Sequence, residues 1–445
     1  MEGINYRAAN DIENPYSELE TSILEELDSL SSLSPSRCIY RVPDALRRVR
    51  EKAYTPRVVS IGPLHHGNEA FKAMEEHKKR YLKHFIGRRN LSLKDYIRKI
   101  KDQETKLRSC YAETVDFKSD EFVRIILVDA IFIIEFLYRS WYPNLVDEND
   151  CIFGKARLIQ GVWPDLLMLE NQLPFFILED LFDPRDFPVP SPSKVSTGNI
   201  DRLSIIFLSH WFLNEYAIQM EEREDQLKKI CSSKVQVQHF LDLLRALYIG
   251  PAELVLKRQQ VEKPKTVTAP NITELHRAGI KFKEGSTTDL LDIHFIGGIL
   301  EIPKLKVWDD TEIIFRNLVA FELCNDLEYY ISDYVSIIDS FVNTSEDVEL
   351  LVKYGLVENM LGDNSQLSTM INSLAAGVEL IPSEFYYASL CEDLSKYCSS
   401  KWHRSRANLK QNYFNTPWRT TSVIAAAVLL ILTFIQTVCS ALSIA

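Results

Sequence analysis

The sequence predicts a mainly α protein. It has a large helical body, a small antiparallel β-hairpin or sheet near residues 280–307, and one C-terminal transmembrane helix. Three observations carry this. Apolar side chains recur at helical spacing along most of the chain. Strict alternation replaces that spacing only near residues 280–307, where Gly297-Gly298 marks a turn. The last 26 residues, 420–445, carry no charged side chain, while residues 394–419 just before them hold six Lys/Arg and no Asp or Glu.

Taken in order, residues 1–36 are acidic and polar, with Ile23, Leu24, Leu27 and Leu30 as one short amphipathic set, and read as a loosely held arm. A helical body is expected over 37–412. A basic helix start follows at Leu46-Arg47-Arg48-Val49. Two prolines and two glycines between Tyr54 and Gly67 fix a loop path there, not a regular element. Phe71, Met74, Tyr81, Leu82 and Phe85 form a helical stripe, with Glu75, Lys78, Lys79 and Arg80 around it. Residues 120–138 are the most apolar stretch of the body. Ile125 to Leu137 is too short to span a bilayer and contains Asp129 and Glu135, and an Asp at a membrane centre costs about 2.5–3.5 kcal/mol. A central buried helix is the expectation. Residues 165–182 repeat the pattern around Glu170-Asn171-Gln172, and Pro174 is expected to end or kink that helix.

Prolines at 184, 188, 190 and 192 mark residues 183–200 as a linker. A second linker is read over 251–273, and both are possible sub-boundaries of the body. Helical spacing returns between them over 204–249. Ile280-Lys281-Phe282 then alternates, a hairpin is expected across Gly297-Gly298, and Leu305 and Val307 continue past Pro303 as an edge. Helices are predicted from a cap at Asp309, Asp310 or Thr311, and over 329–341, 345–354, 363–376 and 384–412.

The uncharged end reads as a tail anchor over 420–445. Pro417 gives it a start, and residues 413–419 form an interface collar. Lys410, Tyr413, Phe414, Trp418 and Arg419 are the candidate membrane-interface residues, since aromatic rings prefer the headgroup level and cations the cytosolic side. Thr433, Thr437, Ser440 and Ser443 can bond back to their own helix, and Gln436 can face a partner helix. A buried core helix and a cleaved lipid-anchor signal are the alternatives. This places the chain in a membrane, single-pass, with its bulk cytosolic and lipid as a partner of the C-terminal helix.

The formal net charge is −11, and setting aside the six collar cations leaves −17 on residues 1–393. Such a body repels nucleic acid. Eight scattered cysteines with no C-x-x-C spacing read as reduced, partly buried thiols. The three glycosylation sequons at Asn90, Asn271 and Asn343 are chance matches if the body is cytosolic.

Seven runs together carry a resemblance. They are Cys38-Ile39-Tyr40-Arg41-Val42-Pro43, YTPRVVSIGPLHHG from Tyr54, LLMLENQLPFF from Leu166, LDIHFIGGILEIP from Leu291, FRNLVAFE from Phe315, YISDYVSIID from Tyr330 and YFNTPW from Tyr413. The chain resembles the plant family called domain of unknown function 247, also known as uncharacterised protein family 0481, over residues 38–445. The resemblance implies a helical body with a C-terminal membrane helix and no established activity. Some grass relatives are implicated as pollen determinants of self-incompatibility, which implies recognition rather than catalysis. This chain departs from the family's usual Asp-Gly-Cys-Phe at Asp129-Ala130-Ile131-Phe132, which weakens any general cysteine mechanism.

The candidate chemistry is thin. His65-His66 with His77 and His84 invites a metal, but no ligand follows at a metal-site spacing, and loop-anchoring histidines are the plainer reading. Glu170 with Asp129, Glu135 or Asp165 could form a carboxylate pair for acid–base work. The same groups could instead pair with Arg41, Arg47 or Arg124 as glue between helices. Cys391 and His403 are twelve apart, too far along one straight helix for a thiol–imidazole pair. Gly297-Gly298 lacks a phosphate-loop pattern. No catalytic, cofactor or metal residue is assigned. The reading is a protein-recognition or signalling protein with unknown protein partners, and the alternative is a membrane-held enzyme using buried carboxylates.

Overall fold

The computed structural model describes residues 17–29, 35–88, 92–147, 150–154, 156–187, 203–215, 237–249, 264–287, 289–325, 327–399 and 417–444. As the sequence predicts, the protein is mainly helical with a small β component.

Helix α1 (Ser17–Ser29) extends the short set foreseen in the arm, and its Leu19, Ile23, Leu24 and Leu27 face solvent. Helix α2 (Asp44–Val49) precedes an irregular path through residues 54–67 that ends at α3 (Lys72–Gly87). Helices α4 (Leu93–Asp102) and α5 (Glu104–Ser109) lead to α6 (Ser119–Trp141). Here the expectation of a central buried helix holds. Its side chains from Phe122 to Ser140 are buried except Arg124, and α3, α4, α8 (Phe175–Leu181) and α9 (Ile205–Leu213) pack around it. Asp120 and Glu121 in its first turn and Arg139 in its last suit the helix dipole.

Helix α7 (Ala156–Asp165) stops where the next helix was expected to continue. Residues 166–174 are irregular yet almost wholly buried, and Pro174 is the N-cap of α8 instead of a helix end. The reason is local. Gln172 Nε2 donates to the carbonyls of Leu166 and Met168 at 2.7 and 2.8 Å, so side chains meet backbone needs that a helix would otherwise have met.

Helix α10 (Phe240–Ile249) is followed by α11 (Ile272–Arg277), which begins at the very end of the linker read over 251–273. Asn271 and Glu274 form a capping box that starts it. Strands β1 (Lys281–Glu284), β2 (His294–Ile296) and β3 (Ile299–Ile302) form a sheet in the order β1-β3-β2. The β2–β3 hairpin across Gly297-Gly298 is antiparallel as expected, but β1 pairs with β3 in parallel, so the sheet is mixed. Strand β4 (Leu305–Val307) is not its edge. It pairs in parallel with β5 (Val357–Asn359), because Pro303 has no N–H to continue the first ladder.

The body continues with α12 (Thr311–Cys324), α13 (Tyr330–Phe341), α14 (Ser345–Lys353), α15 (Asn364–Leu374) and α16 (Ala388–Ser399). Between α12, α13 and α15 lies an apolar cavity of about 10 Å³, lined in part by Phe315, Tyr334, Met370 and Leu374. It has room for one water at most.

The expected transmembrane helix is overturned. Helix α17 (Pro417–Ile444) has 28 residues. Among the described residues, however, no helix is long and apolar enough to cross a membrane. Helix α17 has Thr420, Thr421 and Ser422 near its start. It also contains Thr433, Gln436 and Thr437. The membrane, single-pass and tail-anchored readings fall with it. Of the five interface candidates, Lys410, Tyr413 and Phe414 lie outside the described residues, and the side chains of Trp418 and Arg419 do too. Thr433 and Thr437 do bond back to the carbonyls of Leu429 and Thr433, each at 2.8 Å.

Candidate functional site

The densest polar constellation lies under the loop at residues 54–67. The loop has no ladder of its own, so its N–H groups need acceptors, and side chains from α6, α7 and residues 166–174 supply them. Asp165 at the end of α7 accepts from the backbone N–H of Arg57, Val58 and Val59 at 2.9, 2.6 and 2.9 Å. Asn171 Oδ1 accepts from Ile61 N at 2.7 Å, and its Nδ2 donates to Val59 O and Asp165 O. Asp129, on α6, accepts from Gly62 N at 2.8 Å and from Lys78 Nζ at 2.5 Å. Lys78 also donates to Ser60 O at 2.8 Å and pairs with Glu75. Gly62 has a φ of +72°, and a Cβ there would lie 2.9 Å from Gln172 O, so both backbone conformation and space require glycine.

Glu170 is the hub. It accepts from Val42 N at 2.7 Å and from Arg47, and His65 Nε2 lies 3.0 Å from its Oε2. Arg41 Nη1 stands 3.7 Å away, while Arg41 Nε donates to Glu113 at 2.8 Å. The Glu170 side chain is fully buried, while Arg47 and Arg41 keep 24% and 45% of theirs exposed, so the hub shows a cationic rim to solvent. Burial pushes the Glu170 carboxyl up, but His65, the Val42 N–H and Arg47 outweigh it and hold the group below the ordinary glutamate range. At Asp165 the balance is reversed. Burial pushes it up to about 6 against the three backbone N–H donors. Burial also raises Asp129, despite Lys78.

The carboxylate pair considered for acid–base work is not assembled. Asp129, Asp165 and Glu170 have the separate donors just named, and Glu135 is held by Arg88 and Arg139 at 2.8 and 3.1 Å. Glu170 does pair with Arg41 and Arg47, two of the three arginines foreseen as glue. The histidines scatter. His65 faces Glu170, His66 stands edge-on to Phe117 at 5.8 Å, and His77 Nδ1 contacts Arg80 at 3.2 Å. Among the described residues no three His, Cys, Asp or Glu are grouped to hold a metal. His403 lies outside the described residues, while burial pushes the Cys391 thiol up to about 12.

Three participants escaped the sequence reading. Lys78, read only as one of the charged residues around the apolar stripe, is fully buried, and its spacing from Met74 and Leu82 is the signal that could have found it. Asn317, a lone amide in an apolar helix, accepts from Leu169 N at 3.0 Å and donates to Ala53 O and Ile313 O, both at 2.8 Å. Asp150 receives Arg139 at 2.6 Å and the Tyr81 hydroxyl at 2.9 Å, in a loop with no periodic pattern to reveal it.

The chain matches the DUF247 model, a plant protein of unknown function, over residues 39–432. It is 27% identical over 433 residues to the UPF0481 protein At3g47200 of Arabidopsis thaliana, covering 92% of this chain and 87% of that one. It is 24% identical over 500 residues to a second UPF0481 protein, At3g02645, of the same plant, covering 94% of this chain and 91% of that one. No solved structure matches the chain.

Proposed function

This chain belongs to the DUF247 family of plant proteins of unknown function, and from that premise we propose that it acts by protein–protein recognition. The observation that carries the reading is the way residues 54–67 are held. This irregular, half-buried segment is fixed by Asp129, Asp165 and Asn171, with Glu170 against its His65, so three of the four buried carboxylates considered for chemistry serve as its anchors. Binding residues are commonly loops positioned by a rigid scaffold. The anchored loop leaves Gly67 and Asn68 exposed and His65 and His66 half-buried, beside the exposed part of Arg41. Arg41, Arg47 and His65 surround one buried carboxylate, so the rim favours an acidic segment of a partner over a basic one.

Proximity labelling from the intact protein in plant cells tests this. Arg41→Ala combined with His66→Ala is expected to lose neighbours that the wild type labels, with melting shifted by no more than a few degrees. Identical neighbour sets from both forms would sink the reading.

A further inference from the structure

Cys38 and Cys110 are both free thiols, and the backbone brings them together. Ile39 and Tyr111 form an isolated parallel bridge, which puts Cys38 and Cys110 at one register position on neighbouring segments. Cys38 N and Ile39 N both donate to Cys110 O, at 2.9 and 3.0 Å, and Ala112 N donates to Ile39 O at 2.9 Å. The Cys110 thiol donates to Lys106 O at 3.3 Å, and each of the two thiols is the largest electrostatic influence on the other. Paired segments lie about 4.7–4.9 Å apart, inside the Cα separation of about 4.4–6.8 Å that a disulfide spans.

We propose that Cys38 and Cys110 are a reversible disulfide site, closed by exchange with a low-molecular-weight disulfide such as glutathione disulfide. The bond would staple the segment that carries Val42, and with it the Glu170 hub, to the turn after α5. The neighbouring Cys38 thiol draws the Cys110 thiol below its ordinary value, while Cys110 and burial push Cys38 up. Cys110 is therefore the attacking sulfur. Its thiolate attacks one sulfur of glutathione disulfide and expels a glutathione thiolate, leaving a mixed disulfide. The Cys38 thiolate then attacks the Cys110 sulfur and expels the second glutathione. Two protein thiols lose two electrons, glutathione disulfide gains them, and the two protons pass to the departing glutathione thiolates.

Both thiols are buried, so exchange waits on local opening of residues 36–43. Once formed, the bond closes a loop of about 70 residues, and constraint of the unfolded chain grows with loop length. The experiment incubates the purified full-length protein with glutathione disulfide under native conditions. Isotope-coded alkylation and unreduced peptide mapping follow, with thermal melting alongside. The expected result is a Cys38–Cys110 linked peptide, joint loss of both sites from the alkylated pool, recovery with dithiothreitol, and a Tm higher by several degrees. Cys38→Ala and Cys110→Ala should each remove the Tm rise, and Cys398→Ala should keep it. Wild-type mapping needs no variant, so a misfolded variant cannot hide the answer. Stable glutathione adducts, linkage to another cysteine, no reaction, or reaction only in urea-unfolded chain would each overturn the proposal.

Discussion

Between residues 38 and 182 irregular backbone runs through the interior, and buried acids and amides receive its N–H groups. Between residues 305 and 374 helices and short strands meet most of their own backbone needs, with Glu322, Asp347 and Asn317 as buried polar exceptions, and apolar packing joins them. The first region places Asp129, Asp165, Glu170 and Lys78 where water cannot reach them. The second is held by side chains such as Leu318, Phe321, Ile331, Ile337 and Phe341, all fully buried. The difference is one of error tolerance. A charged clamp is strong only while both partners are present, because the survivor is a buried, uncompensated charge. An apolar core loses the removed contacts and the hole they leave, and its neighbours can relax into part of that hole.

The largest test of this contrast is Lys78→Ala, which strands Asp129 and is expected to cost about 3–5 kcal/mol in urea unfolding. Lys78→Met with Asp129→Leu should recover much of the loss, since apolar replacement of a whole buried pair is often tolerated. A loss under about 1 kcal/mol for the single change would break the contrast. In the apolar region, Leu318→Ala is expected to cost about 2–5 kcal/mol, and no charge-removing partner change should rescue it.

A pH series sharpens the comparison. The folded Asp165 carboxyl is pushed up to about 6, above its ordinary value near 3.9. The native state then holds that proton more tightly. Its contribution is fully present below about pH 4 and is lost as pH rises through about 6. On acidification from pH 7 to 4.5, the wild type should gain about 2 kcal/mol relative to Asp165→Asn. Parallel stability curves for the two proteins would show that the three N–H donors, not burial, set this group.

The smallest effect belongs to Arg57 and Asp310, an exposed pair at 2.7 Å that joins the two regions. Asp310→Ala should cost under about 1 kcal/mol, and less at high salt.

The two regions also differ in how legible they were. Helical spacing found α3, α6 and α12 through α15 because one-sided burial writes a period into the sequence. The Gly297-Gly298 hairpin was equally plain. Residues 166–174 were misread because their apolar spacing imitates a helix, while the side chain of Gln172 takes over the hydrogen bonding that a helix would need. The parallel pairing of β1 with β3 and of β4 with β5 depends on distant segments, which local alternation cannot report. The C-terminal segment was misjudged on its lack of charge, which overlooks the hydroxyl and amide side chains along the helix. At the candidate site, Glu170 was flagged as a polar group in an apolar run. The convergence of Val42, Arg47 and His65 on it could not be read, because contacts across 123 and 128 residues leave no local trace.

Those separations bear on synthesis. Val42 leaves the ribosome 128 residues before the carboxylate that accepts its N–H, and Ile61 leaves 110 residues before Asn171. At translation speeds of about 5–20 residues per second, the delay is on the order of 10 s. For that interval the nascent loop has no acceptor from these groups. A pause before residue 170 would prolong its exposure to chaperones, so codon choice over residues 68–170 becomes a handle on yield even where no amino acid is changed.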